Sequence, residues 1–258
     1  MKIHVLNLDR DAERFEEFSA VNLQLVPSVV RYPAIDGATV DTDLLVEQKV
    51  IDRRILQTYT PGALGYALGH LALWQHAVET GEWITLCDDD AIFNRGILDS
   101  ASAAISQLDG QWDLILWGWN FDAPMTFELL PGVSTGRIVC DQDSMRAGVP
   151  RFVEQTIDFR LFRLMRAFGT PCYSISPKGA AGLRQHCLPL RPMPLYSPVL
   201  QRFFPNNGID MMMNALYPEI SAFVSIPPLV VTKNDHDKST IQTGRTLAEL
   251  RDATPGGQ

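Results

Sequence analysis

The 258-residue chain has only four cysteines, Cys87, Cys140, Cys172 and Cys187, and they are widely scattered. No CxxC pair or Cys/His spacing of the zinc-site kind occurs, which argues against a structural zinc site. The four read as reduced thiols of a cytosolic protein. The sequence has no run of about 18 consecutive apolar residues, so no transmembrane helix is expected. The opening MKIHVLNLDR reaches an acidic residue at Asp9 without a long apolar stretch, unlike a secretory signal peptide. G-x-x-x-x-G-K-[ST] is missing, which disfavours a phosphate-loop NTPase, and there is no internal repeat. Positive charge is scarce as well. The 22 Lys and Arg face 30 Asp and Glu, for a formal net charge of −8, and such a surface does not suit nucleic acid as a partner. A local basic patch is still compatible with that balance.

What is present is ordinary for a globular protein: 46% hydrophobic and 20% charged residues, enough for one sizeable core. IHVLNL (3–8) is a short apolar run that reads as a buried strand, and DRDAERFEEF after it reads as a helix with Phe15 and Phe18 on one face. The clearest helix is PGALGYALGHLALWQHAVETG (61–81), with Thr60 as N-cap, Pro61 in the first turn and Gly81 as the stop. His70 falls at the edge of its apolar stripe, one turn before Trp74, where it could look into a cleft. WITLC (83–87) reads as a strand, ILDSASAAISQL (97–108) as a helix and WDLILWGW (112–119) as a further buried strand. This alternation predicts an α/β fold with a mostly parallel sheet flanked by helices. Residues 120–150 show no sustained period and read as loop or an irregular insertion. RFVEQTIDFRLFRLMRAFG (151–169) reads as a helix with Arg160, Arg163 and Arg166 on one side, either a solvated face or a contact for an anionic substrate or lipid surface. CYSIS (172–176) is a strand, and Ser176 with Pro177 starts another helix. Five prolines make 188–205 extended or turn-rich. GIDMMMNALYP (208–218) is a short helix with Asp210 at its start. PPLVVTKNDHDKST (227–240) gives a last strand and a polar stretch, and the end, RDATPGGQ, is expected to be disordered.

The stretch WITLCDDDAIF (83–93) sets Asp88, Asp89 and Asp90 side by side between apolar flanks. Two carboxylates about 5.5 Å apart at an effective dielectric of about 20 repel by roughly 3 kcal/mol. A cation, basic neighbours or raised pKa values would relieve this. The run follows a strand, and in open α/β sheets ligands bind at the carboxyl ends of strands.

Several stretches together resemble glycosyltransferase family 25, the lipooligosaccharide galactosyltransferases related to collagen galactosyltransferases. VLNLDRDAERF is similar to the family's first strand, YPAIDG (32–37) to its A-x-D-G element, and GALGYALGHLALWQ (62–75) to its G-x-x-x-S-H-x-x-L-W helix. ITLCDDDAIF resembles L-E-D-D-A, FGTPCYSISPKGAAGL (168–183) resembles G-T-x-x-Y-x-I-S, GIDMMMN (208–214) resembles P-x-D-x-M-M, and HDKST (236–240) resembles H-D-x-x-S. Gly69 replaces the family's serine, Asp88 replaces its glutamate, and Pro177 stands where a basic residue is common.

The resemblance implies a GT-A-like, Rossmann-type fold in a single domain with an irregular middle insertion. That domain would cover 1–245, with a nucleotide-sugar half at about 1–120, an acceptor half at 121–245, and a disordered tail at 246–258. It implies a UDP-sugar donor (most often UDP-galactose), a glycan or glycolipid acceptor of the lipopolysaccharide kind, Mn²⁺ or Mg²⁺, and a cytoplasmic enzyme with room for peripheral contact with the inner membrane surface. Asp88 and Asp90, with D-x-D spacing, would meet the metal, joined by His236; the bland alternative is a solvated acidic turn. Asp210 would be the catalytic base of an inverting transfer, or merely a helix cap. Asn7, Asp9, Arg14, Asp36, Gly37, His70, Asp89 and Lys178 would bind the donor. Each has its alternative: Arg14 pairing with Glu17 or Asp11, Gly37 as a turn glycine, His70 packed on Trp74. Two rival functions are a non-catalytic glycan- or nucleotide-binding relative and a phosphoryl-transfer enzyme that uses the acidic cluster.

Overall fold

Short, largely apolar runs form the middle of a nine-stranded sheet. The computed structural model describes residues 1–197, 201–233, 246, 247 and 249. In chain order the strands are β1 (Ile3–Asn7), β2 (Val29–Pro33), β3 (Ile84–Asp88), β4 (Ala91–Phe93), β5 (Leu114–Gly118), β6 (Met125–Leu130), β7 (Ser134–Ile138), β8 (Arg160–Arg166), β9 (Cys172–Ile175), β10 (Leu195–Ser197), β11 (Arg202–Phe204), β12 (Ala222–Ile226) and β13 (Val230–Thr232). The helices are α1 (Ala12–Val21), α2 (Thr42–Glu47), α3 (Pro61–Thr80), α4 (Ile97–Gln107), α5 (Gln142–Glu154), α6 (Pro177–Cys187) and α7 (Ile209–Leu216). The main sheet has the order β2-β1-β3-β9-β5-β12-β8-β6-β7. β1, β2, β3, β5, β12 and β6 point one way, while β9, β8 and β7 run against them. The sheet is therefore mainly parallel in strand direction, as the β-α alternation predicts.

Side chains alternate across the strands into two apolar layers. Leu6, Leu86, Leu116 and Tyr173 face α3, α6 and α7, and Val5, Cys87, Ile115 and Cys172 face α1 and α4. Because β1, β5 and β9 are covered on both sides, every residue in them is buried, which is why they read as continuous apolar runs. The helix α3 starts and stops where its sequence says. Thr60 accepts from the Ala63 N–H, Pro61 fills the first turn, and Gly81 closes the helix in the left-handed conformation at φ 68°. Among the described residues no helix is long and apolar enough to cross a membrane, and all four cysteines are free thiols.

Three sequence expectations are corrected. Residues 120–150 are not irregular: β6 and β7 form a hairpin that extends the sheet, and α5 follows. The stretch 151–169 holds the end of α5 and then β8, an antiparallel partner of both β12 and β6. Its apolar residues alternate between the layers, Ile157, Phe159 and Leu161 into one and Phe162 and Leu164 into the other, a period of two rather than 3.6. The three arginines therefore do not line one helical face. Arg163 lies over the Phe223 ring at 5.7 Å, and Arg166 donates to the Tyr196 carbonyl at 2.6 Å. Finally, β2 and β12 are strands beyond those that the apolar runs predict.

Candidate active site

The carboxyl ends of β1 and β3 open onto a cleft of about 500 Å³. Because β9 runs backwards, its leading residues, Phe168 to Thr170, reach the same edge, and the loop after β5 brings Asn120 and Asp122. The start of α7 and the residues that end and follow β13 close the other side. One close approach shapes the near wall. A Cβ on Gly37 would sit 1.9 Å from the Pro61 carbonyl oxygen, and one on Gly65 would sit 2.1 Å from that of Ile35. Only glycines at both positions let the loop after β2 lie against the first turns of α3.

The three aspartates have three different environments. Asp89 is tied off. It accepts 3.0 and 3.1 Å bonds from Arg14 Nε, a further bond from Arg14 Nη2, and a 2.8 Å bond from Asn7 Nδ2. The bond to Asp89 is also what raises the Arg14 guanidinium above its ordinary value. Such a two-pronged pair anchors the loop after β3 to α1. Asp88 ends β3 and accepts a 2.8 Å bond at Oδ1 from the Tyr66 hydroxyl, which also meets Thr170 Oγ1 at 3.0 Å. Burial, then the nearby Asp90 charge, hold the Asp88 carboxyl well above the usual carboxylate range. Asp90 is exposed on the cleft wall yet hemmed in by protein. Desolvation pushes its carboxyl up, while the Arg14 charge and the Thr232 hydroxyl pull it down. Among the described residues, neither Asp88 nor Asp90 forms an ion pair with Lys or Arg.

Asp210, at the start of α7, also lines the cleft. Its Oδ2 accepts a 3.1 Å bond from the Gly169 N–H, and burial raises its carboxyl above the ordinary value. Asp36 and Gly37 line the cleft too, with Asp36 paired to Arg10 and accepting from the Ala38 N–H at 3.0 Å.

Four expected donor ligands are elsewhere or otherwise engaged. Asn7 is 1% exposed, and its side chain is used up by Asp11, Asp89 and Arg31; it positions Asp89 instead of facing the cleft. Asp9 points to solvent and pairs with Arg31 at 2.7 Å. His70 is buried, because α3 is covered all round by its layer and not along one stripe. Its Nδ1 meets the Tyr173 hydroxyl at 2.7 Å, and burial pushes its pKa down to about 3. Lys178 starts α6 away from the cleft and pairs with Asp113 at 3.2 Å. His236 and the HDKST stretch lie outside the described residues, as does the RDATPGGQ end.

The structure adds residues that the sequence reading did not single out. Tyr66 stands one turn before His70 in the same helix, a spacing that could have flagged it. Thr170 lies inside the FGTPCYSIS stretch. Thr232 and Lys233 follow the apolar pair of β13 and reach the cleft only because β13 pairs with β4.

Among the described residues no three His, Cys, Asp or Glu side chains converge as a metal cage. Two carboxylates that face an open cleft still fit Mg²⁺ or Mn²⁺, since such ions are commonly held by one or two carboxylates plus substrate phosphates.

A family model described as glycosyltransferase family 25 (LPS biosynthesis protein) matches residues 1–195. No curated protein matches the chain. Among solved structures, the crystal structure of A197 from STIV aligns with 92% of this chain and 96% of its own, at 9% identity and a TM-score of 0.37. A mutant UDP-glucose pyrophosphorylase from Leishmania major in complex with UDP-glucose aligns with 87% of this chain and 51% of its own, at 13% identity and a TM-score of 0.32.

Proposed function

Since the chain belongs to glycosyltransferase family 25, we propose that it is a metal-dependent hexosyltransferase of GT-A type. It moves a hexose, galactose from UDP-galactose, onto a lipopolysaccharide, lipooligosaccharide or other surface glycan, with inversion. The observation that carries this reading is the division of labour in the acidic run. Asp89 is neutralised by Arg14, while Asp88 and Asp90 line the cleft without an ion-pair partner among the described residues.

In this reading Asp88 and Asp90 hold Mn²⁺ or Mg²⁺ together with the donor diphosphate. When bound, such a cation stabilises the negative charge that grows on the leaving diphosphate. Tyr66 fixes Asp88 through Oδ1 and leaves Oδ2 for the cleft. The loop at Asp36 and Gly37 lies where the donor's base or ribose would rest. Asp210 takes the proton from the acceptor hydroxyl as that oxygen bonds to the anomeric carbon and the bond to UDP breaks. A carboxyl raised by burial suits this role, because a base works best with a pKa near the operating pH. We place the reaction in the cytoplasm, with peripheral contact at the membrane where a lipid-borne acceptor is met.

The test is a panel of nucleotide sugars with and without Mn²⁺, read first by thermal shift and then by product analysis. A metal-dependent rise in unfolding temperature with one UDP-sugar, and glycoside formed from it, is the expected result. Binding without transfer to any acceptor would leave a binding protein of the same fold. Release of free phosphate without glycoside would sink the reading.

A further inference from the structure

The cleft is short of positive charge. Among the described residues, eight carboxylates and three cations line it. Arg10 is taken by Asp36 and Arg14 by Asp89, which leaves Lys233 as the third cation among the described residues of the cleft. No carboxylate among the described residues pairs with that lysine. A diphosphate brought to such a surface meets repulsion from most sides, and any protein cation not already committed becomes decisive for holding it.

The backbone of Lys233 is held in place. Its carbonyl oxygen accepts from Arg146 Nε at 2.7 Å and from Gln142 Nε2 at 3.4 Å, both on α5. Two strand residues before it, Val231 and Thr232, pair antiparallel with Ile92 and Ala91. One further step of that register sets Lys233 opposite Asp90, and both residues line the cleft. The backbone at Lys233 is therefore fixed by two elements, β4 and α5, while its side chain stays exposed.

We propose that Lys233 binds the diphosphate of the sugar-nucleotide donor, next to the cation side formed by Asp88 and Asp90. This rests on the reading that the cleft takes a sugar diphosphate. It gives α5, in the stretch that looked irregular in sequence, a purpose in the site: presenting Lys233.

The experiment is isothermal titration of UDP and of inorganic pyrophosphate, each with Mn²⁺, into the full-length protein and into Lys233→Met, Lys233→Gln and Lys233→Arg. Loss of a charge-assisted contact weakens binding about tenfold or more. Both neutral variants should show this for UDP and, in a similar ratio, for pyrophosphate, while Lys233→Arg returns to within a few-fold of wild type. The unliganded unfolding temperature should not move, because the side chain is exposed. Wild-type binding with unchanged affinity in both neutral variants overturns the assignment of Lys233 alone. If wild type binds neither probe, the sugar-diphosphate reading falls and the role of Lys233 falls with it.

Discussion

Replacing Asp88 by Asn should make the cation-free protein more stable and the ligated protein less so. The isosteric amide keeps an oxygen for the Tyr66 hydroxyl, which donates to Oδ1 at 2.8 Å, so packing is preserved and only the charge is removed. In the folded protein that charge is costly because the half-buried carboxyl is poorly solvated and lies near the Asp90 charge. Carboxylates about 7 Å apart at an effective dielectric of about 20 repel by roughly 2 kcal/mol. For a chain of this length about 2–4 °C corresponds to 1 kcal/mol, so Asp88→Asn should unfold about 4–8 °C higher than wild type at pH 8 in a chelator.

The pH dependence follows from the sign of the shift. The folded-state value lies above the ordinary 3.8, so between the two the folded state binds the extra proton. Wild-type stability therefore rises as pH falls through that window. The advantage of Asp88→Asn should be complete above the raised value and gone near 3.8. With Mn²⁺ and UDP present the order reverses, since ligand at a hundredfold excess over Kd adds about 2.7 kcal/mol to wild type and little to the variant. Differential scanning fluorimetry across pH, with and without ligand, reads all of this. An Asp88→Asn protein less stable than wild type in chelator at pH 8 would mean that the charge is already satisfied, and an undiminished Mn²⁺ shift would remove Asp88 from the cation site.

Three further outcomes can be checked. The Arg14–Asp89 clamp should give a coupling energy of about 1–3 kcal/mol in a urea-denaturation double-mutant cycle of Arg14→Met and Asp89→Asn, and additive losses would refute the clamp. Lys178→Ala should leave UDP affinity within twofold by titration calorimetry, since Lys178 pairs with Asp113 away from the cleft. His70, with its pKa lowered to about 3 by burial, resists a proton that the unfolded chain takes up below 6.5. Its contribution is intact above 6.5 and lost as pH falls toward 3, at up to about 1.4 kcal/mol per pH unit. His70→Gln should flatten that acid limb in chemical denaturation at several pH values; an unchanged slope would place the acid sensitivity elsewhere.

Elements whose cause is local were legible in the residues alone. The short, largely apolar runs of β1, β3, β5 and β9, bounded by polar or turn residues, read as buried strands. Thr60, Pro61 and Gly81 bound α3 through hydrogen bonds and dihedral angles within a few residues, and Ser176 with Pro177 starts α6 the same way. Asp88, Asp90 and Asp210 were legible because an acidic residue after a strand, or at a helix start, is placed by its own element. Tertiary structure alone decided the rest. Whether His70 faced a cleft depended on how many neighbours cover α3, which no helical wheel contains. Whether Asn7 and Asp89 met substrate or each other depended on the pairing of β1 with β3, 82 positions apart in the chain. The arginines of β8 were scattered because backbone pairing with β12 and β6 overrode a spacing that also suits a helix. Lys233 and Tyr66 joined the site because strand register and helix packing, long-range matters of satisfied hydrogen bonds and filled volume, brought distant residues to one sheet edge.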